Sequence, residues 1–288
     1  MRVISCSLCF ILCSLFFIPA CSTPPKDPGD IFDIRKRAEA QIDLGNKQAD
    51  HGNLDAALII LDEAYRLAVV VDEPGLRVRA MLSRSNVLFS LGRREEAQAG
   101  WNEALSEAER AGNKALMALC RIHIGRGKLL SPEGKTAAQS VRDEVARDLG
   151  LIKSDRFYTA FAWTVVGLAE KELGRYPAAE SAVQRSLAIY EKDRRFELAA
   201  YSWFMIASFR SMAGDYLGAA RALQSAIAFD RRVENSWGLA SDWRALGDVY
   251  TKADDHESAR FAYLRSAEIF RSMGNEAAAA ETLIRIDR

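Results

Sequence analysis

The residues of this 288-residue chain that could do chemistry are three histidines, five cysteines and scattered carboxylate pairs. His51, His123 and His256 lie far apart, and no two have the spacing with which a helix or loop presents metal ligands. His51 and His256 stand in turn-like stretches and read as solvated. His123 falls in one column with three tryptophans described below and reads as core. Gly125-Arg126-Gly127 lies inside a helical pattern rather than after a strand, so it is not a phosphate-cradling loop. No Gly-x-Ser-x-Gly elbow occurs, Asp254-Asp255 alone cannot form a calcium loop, and Glu95-Glu96 reads as a solvated helix face. These residues give no catalytic group, metal or cofactor to expect, and the chain reads as non-enzymatic. Cys6, Cys9, Cys13 and Cys21 crowd the N-terminus and leave Cys120 alone, which reads as a small buried hydrophobe with no disulfide partner.

Cys21 is the exception, because of what precedes it. Arg2 is the only charge before a run, Val3 to Phe17, that is apolar apart from serines and cysteines. A short positive start, an apolar run and small residues at its end form a secretory signal. Ile18-Pro19-Ala20-Cys21 resembles a bacterial lipobox, although Pro19 departs from the small residue usual two places before the cysteine. The resemblance implies that residues 1–20 are a signal peptide and that Cys21 carries lipid. Residues 21–30, with Pro24, Pro25 and Pro28, then read as an extended tether. Ser22 after the cysteine implies, in lipoproteins of Gram-negative cells, an outer-membrane location facing the periplasm. The competing expectation is an uncleaved anchor over Val3–Ala20, barely long enough to span. The protein would then be a cytoplasmic or inner-membrane-anchored regulator or signalling adaptor. Lys+Arg and Asp+Glu balance at 39 each with no basic tail, which argues against a nucleic-acid partner.

Residues 31–288 repeat. Turn glycines recur as Gly52, Gly92, Gly134, Gly174 and Gly214, with Asp254 in the sixth place, in steps of 40, 42, 40, 40 and 40. Alanine follows five places later at Ala57, Ala97, Ala179, Ala219 and Ala259, and again seven further on at Ala64, Ala104 and Ala226. Trp163, Trp203 and Trp243 share the period. Apolar residues three and four apart on both sides of each turn predict two amphipathic helices per unit, and small residues mark where the two cross. The stretch Trp243 to Tyr263 resembles the tetratricopeptide signature through Trp243, Leu246, Gly247, Tyr250, Ala259 and Tyr263, and Leu44-Gly45, Gly127 and Gly167 echo its Leu-Gly pair. The resemblance implies an all-α, right-handed superhelical solenoid of about six helix-turn-helix repeats with a C-terminal capping helix. The 40-residue period implies the long-helix subgroup found among scaffolds and regulators. The third unit is longer, carries Ser131-Pro132 near its turn, and has a polar second helix.

Solenoids line a concave surface with the first helix of each pair. Sorting that helix by angle and carrying one face along the chain gives Glu39, Asp43, Asn46 and Asp50, then Arg79, Ser83, Asn86 and Ser90, then Arg121, Gly125 and Lys128. It continues with Phe161, Val165, Leu168 and Glu172, then Tyr201, Met205, Ser208 and Met212 with Phe204 at the edge, then Ser241, Asp248 and Lys252. A protein or peptide partner is expected in this groove. Phe161, Tyr201, Phe204, Met205 and Met212 are either an apolar anchor patch or packing between neighbouring units. Arg79, Arg121 and Lys128 could receive an acidic segment or stand solvated. Asn46 and Asn86 fall where peptide-binding relatives hold a ligand's backbone.

Overall fold

The computed structural model describes residues 28–286, so the expected signal peptide and lipidation at Cys21 lie outside the described residues. The described chain is helical throughout: α1 Pro28–Asp50, α2 Leu54–Val70, α3 Pro74–Ser90, α4 Arg94–Arg110, α5 Lys114–Leu129, α6 Gly134–Ile152 and α7 Arg156–Glu172. Then come α8 Tyr176–Lys192, α9 Phe196–Met212, α10 Tyr216–Arg232, α11 Ser236–Lys252, α12 His256–Ser272 and α13 Glu276–Leu283. They form a right-handed superhelix of six helix pairs, each packed on the next, with α13 capping α12. Among the described residues, no helix is long and apolar enough to cross a membrane.

The unit of construction is half the expected period. Helices α2 to α4 and α7 to α12 each run 17 residues and are joined by three-residue turns, so the chain reverses every 20. Each of these reversals places one residue in the left-handed region, which lets a tightened turn satisfy the last carbonyls of the helix. Gly52, Gly92, Gly174 and Gly214 supply it within pairs, as expected, and Asp254 takes the same conformation at φ 59°. Turns between pairs use Asp72, Gly112, Arg194, Glu234 and Gly274, whose mixed identities hide the half-period from the sequence.

Two expectations at element boundaries are corrected. Pro28 opens α1 rather than extending the tether, since proline at the first helical position loses only a donor that has no partner there. Gly134 is not a turn glycine: it is the first residue of α6, and Pro132 holds the place of Gly92 without a positive φ. The two extra residues of the third unit therefore lie in the last turn of α6, which runs 19 residues. Despite its polar sequence, α6 buries Val141, Val145 and Ile152.

The crossing of each pair explains the small residues. Ala57, Ala97, Ala179, Ala219 and Ala259 are buried, as are Ala64, Ala104 and Ala226. On the first helices, Gly45, Gly125, Gly167 and Gly247 hold one place. A Cβ at Gly167 would stand 2.5 Å from Val183, and one at Gly247 2.5 Å from Tyr263, so the backbones cross too closely for a side chain. The third unit's member of this column is Gly125 rather than Gly127, against which the Trp101 ring packs instead.

Candidate partner-binding groove

Placing the extra residues in α6 shifts the groove face of the third unit by two. Counted from the start of each first helix, the residues of α5 that correspond to Phe161, Val165 and Leu168 are Leu119, His123 and Arg126. Arg121 and Lys128 are thus corrected off that face. Arg121 points at its own pair, donating from Nε and Nη2 to Asp148 on α6 at 2.8 and 2.7 Å. Lys128 is exposed but stands in the column of Leu88 and Glu170. His123 leaves the tryptophan column, which Arg121 occupies, and enters the groove column, although it is buried as expected. Its imidazole lies 3.2 Å from the Asn86 side chain and stacks on Phe161, with ring centroids 4.5 Å apart. Burial, assisted by Arg126, pushes its pKa down to about 3, so the ring is neutral.

The remaining residues divide by what already holds them. The Asn86 amide is engaged by His123 and accepts from Trp101 Nε1 at 3.3 Å, so it links α3, α4 and α5 rather than facing a ligand. Asn46 stands half-buried on α1. Arg79 lies beside the Tyr158 hydroxyl, whose pKa burial pushes up to about 12. Met205 is core at 4% exposure, and Phe161 and Phe204 are half-buried. Tyr201 and Met212 are open, at 42% and 45%. Tyr201 and Phe204 stack with centroids 6.4 Å apart.

Met212 and Phe204 help line a cavity of about 200 Å³ between α9 and α11, with Ala207, Ser208, Ser211, Leu223, Ala245, Asp248, Val249 and Lys252. Two of its charged groups differ in commitment. Asp248 accepts from Arg285 Nη1 at 2.8 Å and from the Tyr263 hydroxyl at 2.8 Å. Lys252 donates to the Ser211 hydroxyl at 3.2 Å and has no carboxylate within ion-pair distance among the described residues.

The superhelix returns on itself. The end of α1 and the turn after it reach the starts of α9 and α11: Lys47 Nζ lies 3.8 Å from Glu197, and a Cβ at Gly52 would stand 2.8 Å from the Trp237 indole. The concave surface is thereby enclosed. Asp50 faces water inside the turn, yet the surrounding protein and the carboxylates of Glu197 and Asp230 push its pKa up to about 7, against the pull of Arg126. Behind this contact, Asp230 and Asp242 are each 3% exposed, between α10 and α11. Burial raises both, Asp242 the more, because the Asp230 carboxylate beside it adds to the desolvation. Asn235 donates to Asp230 at 3.1 Å. Arg126, His123 and this carboxyl pair escaped the sequence reading. The small column was the missed signal, because it selects Gly125 and so restores the register.

Elsewhere, burial pushes the Cys120 thiol up to about 12, which makes it inert. No cluster of three metal-ligating side chains occurs among the described residues.

No protein-family model matches the chain, and no curated protein does. Solved structures do. BtubC (BKLC) from P. vanneervenii is 16% identical with a TM-score of 0.56, covering 82% of this chain and 92% of its own. A Rap protein complexed with competence and sporulation factor is 15% identical at TM-score 0.58, covering 89% and 79%. PilW, a widely conserved type IV pilus biogenesis factor, is 16% identical at TM-score 0.51, covering 87% and 98%. At such identities the likeness is one of fold, and the fold of this chain is that of a tetratricopeptide-type repeat solenoid.

Proposed function

We propose that the protein is a lipid-anchored scaffold of the bacterial cell envelope, held through Cys21 at the outer membrane and facing the periplasm, and that it binds a protein or peptide in its concave groove. The observation that supports binding is the exposure of Tyr201 and Met212 on the concave face, Met212 lining an unfilled cavity there. Similar folds include a Rap protein in complex with competence and sporulation factor and a type IV pilus biogenesis factor, which agree with a binding role. The anchor rests on the lipobox-like Ile18 to Cys21.

Two experiments test the two halves. A photo-reactive residue replacing Phe204 in the native host should capture a discrete partner that the same residue at the outward-facing Ala188 does not; identical background from both sites refutes groove binding. Metabolic labelling with a lipid precursor should mark the wild type and not Cys21→Ser. An unlabelled wild type removes the lipid anchor and leaves the inner-membrane or cytoplasmic regulator.

A further inference from the structure

One pair of groove columns, three residues out of register, recurs along successive first helices. From the α3–α5 step onward the pairs are Asn86 with His123, Arg126 with Val165, Leu168 with Met205, and Ser208 with Ala245. The first touches by hydrogen bond, and Leu168 and Met205 are both buried, at 7% and 4% exposure. At the last step both partners are small, and the cavity between α9 and α11 opens there, with Ser208 and Ala245 in its wall. At about 200 Å³ the void has room for one leucine- or methionine-sized side chain. Its walls are apolar through Phe204, Met212 and Val249, and its uncommitted charge is the Lys252 ammonium, since Asp248 is held by Arg285 and Tyr263.

We infer that this cavity is the anchor pocket of the groove, and that it takes one leucine- or methionine-sized side chain of a partner segment whose neighbouring residue is acidic. The inference rests on the groove-binding reading and narrows it. The apolar side chain packs against Phe204, Met212 and Val249, and the carboxylate meets Lys252 at the rim, where the Ser211 hydroxyl orients the ammonium. A basic segment would put like charge against Lys252 and leave the pocket's cation without compensation.

The test uses the full chain and three capped Gly/Ser decapeptides carrying Glu-Leu-Glu, Glu-Ala-Glu or Lys-Leu-Lys at the centre. Methionine methyl signals report binding, because Met212 lines the pocket while Met81 on α3 lies outside it. The Glu-Leu-Glu peptide should move Met212 and leave Met81 still. Glu-Ala-Glu should bind at least about tenfold more weakly, the cost of three unburied carbons. Ala245→Met, which copies the preceding step, should abolish the shift while keeping the helical spectrum, and Lys252→Glu should weaken it about threefold or more. Undiminished binding to Ala245→Met, equal binding of Lys-Leu-Lys, or a Met212 signal that no peptide moves overturns the inference. Peptide-induced shifts elsewhere in the groove with Met212 unmoved overturn it while leaving the groove reading intact, and the Phe204 capture tests that reading separately.

Discussion

The step from the fourth unit to the fifth and the step from the fifth to the sixth follow the same helix and turn lengths and differ in what fills them. In the first, Leu168 and Met205 are buried in the groove, and behind them Tyr190 and Ser202 hold the places beneath the helix crossing. In the second, those places carry Ser208 and Ala245 around a cavity, and Asp230 and Asp242 as a buried carboxyl pair. A repeat fold tolerates this because each unit contacts chiefly its neighbours, so one interface can be weakened while the stack persists. The difference locates the specialised part of the molecule at the α9–α11 junction, against which the turn after α1 also closes.

Making the filled step resemble the open one should have the largest effect. Met205→Ala leaves a cavity at the α7–α9 crossing and should cost about 2–5 kcal/mol in urea denaturation, with binding at the α9–α11 pocket retained. A loss below that range would mean that α7 and α9 collapse onto one another, and that the contrast between the two steps is shallow.

The carboxyl pair separates the two steps by pH. Burial raises Asp230 and Asp242 above their ordinary range, so the native state binds protons that the unfolded chain releases. The pair's contribution to stability is then full below about 4 and is lost as pH rises through about 6 and about 9. Asp242→Ser, the residue of the preceding unit, should flatten that slope when thermal midpoints are measured across the range. A slope unchanged by the substitution would move the titration to another group, with Asp50 the next to replace.

Filling the open step should have a smaller effect of opposite sign. Ala245→Met should raise stability by about 0.5–2 kcal/mol while removing the pocket. Destabilisation would show that Phe204 and Met212 cannot move aside. The smallest effect is expected where the superhelix closes. Lys47 is 55% exposed, and Lys47→Ala should change the midpoint by no more than about 0.5 kcal/mol. A larger loss would make the Lys47–Glu197 contact a true brace of the enclosed turn.

Much of the fold was legible because solenoid geometry is written locally. A helix crossing needs small residues, so Ala57, Ala97, Ala179, Ala219 and Ala259 mark it, and a tight reversal favours a left-handed residue, so four of the five expected glycines stand there. The face count held outside the third unit: Tyr201 and Met212 are open and Phe204 lines the cavity, although Met205 is core and Asn86 is already engaged. It failed at Arg121 and Lys128, because Gly134 looks like a turn glycine and placed the two extra residues before α5 rather than at the end of α6. A two-residue slip rotates a helix by more than half a turn, enough to exchange one face for another.

The sequence alone therefore determined the helix pairs, their period, the small residues at their crossings and the apolar start that ends in Cys21. These depend on neighbours within one or two units, where spacing and side-chain size decide the outcome. Only the tertiary structure decided which polar residues are already spent, as Asn86 is on His123 and Trp101 and Arg121 is on Asp148. It alone brought Gly52 to Trp237 and opened the space beside Ala245. Those outcomes depend on small rotations summed over several units and on volumes missing between helices, and neither leaves a mark on any single stretch of chain.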